Sequence, residues 1–264
     1  MTLRPSAVAA SGDLAGLTVA LTRPVGSAGA LARQVRARGG QALLLPGLSL
    51  RAAADPATAR EQLQQALQDD VLIFSSPAAV HHAARLCPLR SHARVLAVGQ
   101  STARALRRQG LSQALAPSRQ DSEGLLDEPT LQQLAGRRVA LIGAAGGRGL
   151  LRPALAARGA CVREVYVYRR LPPRLDRRHR DAVLTVSTPL VLLISSAEAL
   201  SHLPRQLPAP AWQALLGAVV VVSSERLRQA AQAAGFARVV QARSALSAAM
   251  LDAVAGVAAS LHAP

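Results

Sequence analysis

GLTVALTRPVGSAGALARQVRARGGQALLLPGL at residues 16–48 and GRRVALIGAAGGRGLLRPALAARGACVREVYVY at residues 136–168 align without a gap at an offset of 120. Ten positions are identical: Gly16 with Gly136, Val19 with Val139, Ala20 with Ala140, Leu21 with Leu141, Gly26 with Gly146, Gly29 with Gly149, Leu31 with Leu151, Ala37 with Ala157, Arg38 with Arg158 and Gly39 with Gly159. The same offset carries VLIFSSPAAV (71–80) onto VLLISSAEAL (191–200), so that Ser75 and Ser76 fall on Ser195 and Ser196. An offset of 125 then matches RVLAVGQSTARALRRQG (94–110) to VVVVSSERLRQAAQAAG (219–235). Three blocks in one order, twice, read as a duplication.

Each block has the same local grammar. A short aliphatic run (Val19 to Leu21, Val71 to Phe74, Val95 to Val98, Val139 to Ile142, Val191 to Ile194, Val219 to Val222) ends in small polar or glycine residues and enters a helical stretch. Continuous apolar runs of this length with helices between them are buried parallel strands. From Ala28 to Gly39, Leu31 and Val35 share a helical face, arginines 33, 36 and 38 lie mostly away from it, and Gly39 is the stop. Gly110 and Gly235 end the helices before them in the same way. The fold class is α/β, two similar three-layer units with parallel sheets. Ligands of such sheets sit beyond the C-terminal strand ends, where helix N-termini present free N–H groups. Those ends are Thr22-Arg23-Pro24, Ser75-Ser76-Pro77, Gly99 to Thr102, Gly143 to Arg148, Ser195-Ser196 and Ser223-Ser224, a set suited to carboxylates or phosphates.

Composition narrows the chemistry. The 264 residues carry a formal charge of +16, and every basic residue is arginine. Without lysine there is no Schiff-base chemistry and no P-loop. The charge alone leaves open both an anionic partner and a GC-rich coding bias. Only five aromatic side chains are present, so a stacking surface for bases is not expected. Cys87 and Cys161 lie far apart with no CxxC, which points to a reducing compartment without structural zinc. MTLRPSAVAASGD (1–13) has no apolar core and reads as a flexible tail rather than a signal peptide, and no membrane span is expected.

Several motifs do not carry function. GAAGGRG (143–149) lacks the G-x-G-x-x-G spacing of a dinucleotide loop, so no nucleotide cofactor is expected. The histidines form no HxxxH or HxH pair, so no metal is expected; the adjacent His81 and His82 read as helical with at least one ring solvated. No G-x-S-x-G elbow accompanies the serines. The arginine-rich RRLPPRLDRRHR (169–180) has no recognition motif or interleaved aromatics, so it reads as a solvated linker and helix start rather than a nucleic-acid site. Tyr166 and Tyr168 alternate with valines in EVYVYRR and are expected to share one strand face.

Taken in order, VALTRP (19–24), LLLPGLSL (43–50), LIFSSPAAV (72–80), AVGQSTARAL (97–106), SEGLL (122–126), GGR (146–148), VYVYRR (165–170), VVVSSERL (220–227) and SALSAAML (244–251) resemble the uroporphyrinogen-III synthase family from Leu17 to about Val254. The resemblance implies two α/β domains joined by a two-stranded β linker, with crossing strands near 48–52 and 165–170. One domain would be discontinuous, 14–48 plus 172–264, and the other 49–171, whereas periodicity alone divides the chain at Gly136. It implies an enzyme, a hydro-lyase that closes the octacarboxylate hydroxymethylbilane to uroporphyrinogen III with loss of water and inversion of ring D, without a cofactor or metal. Tyr168 falls on the family's linker-strand tyrosine and would assist departure of the hydroxyl. Around an interdomain cleft, Ser75, Ser76 and Thr102 from one domain and Ser195, Ser196 and Ser224 from the other would bind carboxylates, with Arg23, Gly147 and Arg148 as further candidates. Each serine is equally a helix N-cap. A cytoplasmic monomer in transient contact with the preceding deaminase is expected.

Two departures stand out. The family loop reads IRGxGGR, whereas Gly143 and Ala144 replace its arginine and first glycine, and the second copy of FSSP is ISSAEA, with Glu198 near a supposed anion site. They leave open an alternative, a non-catalytic two-lobed relative that clamps an anion.

Overall fold

The computed structural model describes residues 12–146 and 149–262. In chain order the elements are β1 (Thr18–Leu21), α1 (Gly29–Ala37), β2 (Gln41–Leu44), β3 (Ser49–Ala52), α2 (Pro56–Ala66), β4 (Val71–Phe74), α3 (Pro77–Leu86), β5 (Arg94–Ala97), α4 (Gln100–Arg108), α5 (Ser122–Leu126), β6 (Arg138–Ala144), α6 (Leu151–Ala157), β7 (Cys161–Leu171), α7 (Arg177–Leu184), β8 (Leu190–Ile194), α8 (Ala197–Gln206), α9 (Ala209–Leu216), β9 (Val219–Val222), α10 (Glu225–Ala233), β10 (Arg238–Gln241) and α11 (Ser247–His262). The chain divides into two compact units, residues 1–49 with 171–264 and residues 50–170. Gly136 sits inside the second unit, in the turn before β6.

Each unit is a five-stranded sheet, ordered β10-β9-β8-β1-β2 in the first and β3-β7-β6-β4-β5 in the second. The pairings reveal how the duplication is used. In the first sheet Val19 pairs with Val191, and in the second Val139 pairs with Val71. These are the same pairing shifted by the repeat offset, with the partners exchanged. Likewise Thr18–Gln41 corresponds to Arg138–Cys161, and Val191–Val219 to Val71–Arg94. Each sheet therefore joins the first block of one copy to the second and third blocks of the other.

Strand alternation assigns the two faces. On one face of the second sheet, Leu72, Phe74, Val95, Ala97, Ala140 and Ile142 pack under Leu63, Ala79, Val80, Ala83 and Leu106 of α2, α3 and α4. On the other, Val71, Ile73, Leu96 and Val139 meet Leu125, Leu126 and Leu155 of α5 and α6. In the first sheet Val19, Leu21, Val191 and Val221 lie under α1 and α11, while Leu192, Ile194, Val220 and Val222 lie under α8, α9 and α10. Parallel strands covered on both faces must be apolar throughout, which is why the runs are continuous rather than alternating.

The helix stops behave as their glycines require. Gly39, Gly110, Gly159 and Gly235 all take positive φ just beyond helix ends, a region that side chains other than glycine rarely occupy. At Gly159 a Cβ would in addition stand 3.0 Å from the Ala135 Cα. Gly159→Ala should therefore lose about 1–2 kcal/mol of stability. Gly29→Ala, within a helix and with only a flexible arginine side-chain atom 3.8 Å away, should be neutral or stabilising. Urea unfolding of the two variants checks the contrast, and equal midpoints would contradict it.

Candidate active site

In the second unit, strands β4 and β5 end level with one another, Phe74 opposite Ala97, while β6, whose Ile142 also pairs with Phe74, runs two residues further to Ala144. The turns that follow therefore line one edge of the sheet. Ser76 is the N-cap of α3, its Oγ accepting from the Ala79 N–H at 3.1 Å. Ser75 is exposed, and the strand end of β6 lies hard against it: a Cβ at Gly143 would fall 2.5 Å from the Ser75 Oγ. A side chain at 143 would require the Ser75 hydroxyl to rotate away. At α4 the N-cap Gly99 has no side chain, and the Gln120 Oε1 instead accepts from the Gln100 N–H at 3.0 Å. Thr102 is only 2 % exposed, so Gln100 and Ser101 are the accessible groups of that turn.

Tyr168 extends toward the same edge. Its hydroxyl lies 3.2 Å from the Ser76 Oγ, and its ring stacks on the His82 imidazole, centroids 5.3 Å apart and planes 14° from parallel. The expectation that Tyr166 and Tyr168 share a face is not met. Gly143 pairs with Tyr166 but Ala144 pairs with Tyr168, so Val167 is an extra residue in β7 and forms a bulge. Val167 and Tyr168 consequently both enter the core under α3, and Tyr168 is 5 % exposed. Tyr166 stays on the opposite face, 42 % exposed, in a cavity of about 360 Å³ with Ser75, Arg152, Glu164 and Arg170. Burial and then Glu164 raise its phenol above the usual range. A bulge reverses the face of everything after it, and nothing in EVYVYRR announces one.

In the first unit, β1, β8 and β9 end together, with Leu21 opposite Leu193 and Ile194 opposite Val222. The Thr22 hydroxyl donates to the Leu193 carbonyl at 2.7 Å and ties two of these ends. Beside it Arg23 is half-buried with no ion-pair or hydrogen-bond partner among the described residues, and its burial pulls the guanidinium below its ordinary pKa. Burying a guanidinium without a carboxylate partner disfavours its charged form. Ser196 and Ser224 occupy the N-cap positions of α8 and α10 without making a capping hydrogen bond, and Ser195 is exposed.

The two units differ in one electrostatic respect. Helices α8 and α10 begin with Glu198 and Glu225 in their first turns, whereas α3 and α4 have no acid there. An acid in the first turn already answers the positive helix end. The starts of α3 and α4 carry no first-turn acid, while the Glu225 carboxylate at the start of α10 is itself paired with Arg228, 2.7 Å from its Nε. Gly147 and Arg148 lie outside the described residues. No group of three or more His, Cys, Asp or Glu able to hold a metal ion occurs among the described residues. Sequence reasoning missed His82 and Gln120; His82 was legible as helical, but its partner depended on the bulge.

Together these features define a two-unit α/β protein whose strand ends lead into serine-rich helix starts, one of which holds a buried phenol. A family model for uroporphyrinogen-III synthase HemD matches residues 29–252. The uroporphyrinogen-III synthase of Salmonella typhimurium strain LT2 is 31 % identical over 255 residues, spanning 90 % of this chain and 100 % of that protein. Among solved structures, a mutant uroporphyrinogen III synthase from the extremely thermophilic bacterium Thermus thermophilus superposes with a TM-score of 0.62 at 23 % identity, over 93 % of this chain and 100 % of that one. The enzyme from Helicobacter pylori 26695 gives 0.55 at 15 % identity, over 93 % and 99 %. The chain belongs to the uroporphyrinogen-III synthase family, enzymes of heme biosynthesis, and the reading as a non-catalytic relative is not favoured.

Because Ser76 caps α3 and Ser196 makes no such bond, their alanine variants should differ. Ser76→Ala should cost about 1 kcal/mol and Ser196→Ala no more than about 0.3 kcal/mol. Denaturant midpoints measured side by side provide the check.

Proposed function

We propose that this chain is a cofactor-independent hydro-lyase that closes hydroxymethylbilane to uroporphyrinogen III. The lone pair of a pyrrole nitrogen expels the terminal hydroxyl, which takes up a proton and departs as water. The resulting azafulvene carbon is attacked by a carbon of ring D, the bond joining ring D to the chain breaks and re-forms at its other α carbon, and the α-hydrogen there is lost as the proton that balances the water. The barrier is one of arrangement: a flexible chain must be folded into a single closing geometry and kept from spontaneous, uninverted closure. Such chemistry asks for held carboxylates and a well-placed hydrogen-bond donor.

The observation that carries the reading is the Tyr168 hydroxyl, fixed 3.2 Å from the N-cap Ser76 at the carboxylate-accepting edge of a family member's sheet. Tyr168 is assigned to hydrogen bonding with the departing hydroxyl. Ser75, Ser76 and, at the N-terminus of α4, the exposed Ser101 in place of the buried Thr102 would receive substrate carboxylates in one unit. Arg23, Ser195, Ser196 and Ser224 would do so in the other, and Gly147 and Arg148 complete the candidate set. The excess of arginine then has a use, since the substrate brings eight negative charges. A cytoplasmic monomer that receives its unstable substrate through transient contact with the preceding deaminase belongs to the same proposal. No helix among the described residues is long and apolar enough to cross a membrane.

The test is to generate hydroxymethylbilane in situ and compare type III with type I uroporphyrinogen, with and without the purified protein. A clear excess of type III is expected; an unchanged ratio with folded protein contradicts the proposal. Arg23→Ala should raise KM about tenfold with a smaller effect on kcat, the mark of lost ground-state binding. Arg23→Lys should recover part of that loss, and an unaltered KM in both variants would remove Arg23 from the site.

A further inference from the structure

The Tyr168 ring is held at two points by one helix. Ser76, the N-cap of α3, meets its hydroxyl at 3.2 Å, and His82, further along the same helix, lies face to face with its ring at 5.3 Å and 14°. His82 is in turn braced edge-on by His81, with ring centroids 5.6 Å apart and planes at 83°. The bulge at Val167 is what brings Tyr168 to this helix. A tyrosine on a regular strand would follow Tyr166 to the other face.

We infer that His82 is a positioning residue for Tyr168, its ring setting the plane of the phenol so that the hydroxyl is held at the Ser76 end. The inference rests on the reading of Tyr168 as the group that assists hydroxyl departure. In this role His82 acts through the tyrosine, on which its ring is stacked. Its work is done by an aromatic face rather than by charge. Burial first, and then the neighbouring His81 and Arg85, hold the imidazole below the usual histidine range and favour the uncharged ring. Two offset aromatic rings prefer this near-parallel arrangement, so another flat aromatic side chain would serve where an aliphatic one would not.

Two readouts test this in the full-length protein. The chain has only two tyrosines, so in a Tyr166→Phe background the Tyr168 ring protons are the single tyrosine signals in an NMR spectrum. Stacking should displace them from free-tyrosine positions; His82→Ala and His82→Leu should return them toward those positions, and His82→Phe should keep them displaced. In steady-state kinetics His82→Ala should lower kcat about tenfold with KM little changed, since a misplaced catalytic group can cost that much or more. His82→Phe should restore most of the rate.

Combined with Tyr168→Phe, His82→Ala should add no further loss, because both changes remove one effect. If the histidine merely filled core space, the losses would add and Leu would serve as well as Phe. Unshifted ring protons in folded His82→Ala and His82→Leu would overturn the inference whatever Tyr168 does. A fully active Tyr168→Phe enzyme with the ring shifts as described would instead overturn the catalytic reading of the tyrosine, and with it the functional part of this inference.

Discussion

Parallel pairing of β1 with β8 and of β6 with β4, in the same register under an offset of 120 residues, is the constraint on which the rest of the structure depends. Val19 with Val191 and Val139 with Val71 fix the two sheet centres, and each pair joins the first block of one copy to the second block of the other. A slip of one residue would exchange the side chains packed under the two helix layers of a sheet. Because all the central strands run the same way, their C-terminal ends and the helix starts that follow share one edge in each unit. The positions that chemistry needs are therefore a consequence of register before they are a consequence of side chains.

Identical backbone logic has been given different electrostatics. Ser76 caps its helix and holds a phenol, while its counterpart Ser196 does neither. Glu198 and Glu225 sit at helix starts in one unit, and the matching helix starts of the other unit are free of acid. Only the second unit carries a tyrosine at its strand end, and only there does an inserted residue, Val167, deliver it to the face under α3. Gly143 completes the asymmetry, since its lack of a side chain lets Ser75 pack against the strand end.

Much of this was legible in the chain. The aliphatic runs at 19–21, 71–74, 139–142, 191–194 and 219–222 are strands because burial on both faces leaves a signal that needs no tertiary information. Glycines 39, 110 and 235 mark helix ends for an equally local reason, their positive φ. Strand β10 gave no such run, because it lies at the edge of its sheet and is largely exposed. The serine turns were legible as helix starts, but which of them cap was not, since that depends on side-chain rotamers. The stacking of His82 on Tyr168 was hidden for a longer-range reason: strand alternation placed Tyr168 beside Tyr166, and only pairing with β6 exposes the bulge that separates them.

The labour of the reaction falls to two sets of groups. In the proposed mechanism helix starts and arginines would hold the substrate's carboxylates and so set the closing geometry, while the Tyr168 hydroxyl would ease departure of water. This division is most directly tested by a single-turnover experiment with Tyr168→Phe in large excess over hydroxymethylbilane, so that no free substrate closes on its own. Slower conversion than in the parent enzyme is predicted, with the product still type III. Type I product from the fully bound substrate would contradict the division, because the phenol would then be choosing the isomer as well as assisting the leaving group.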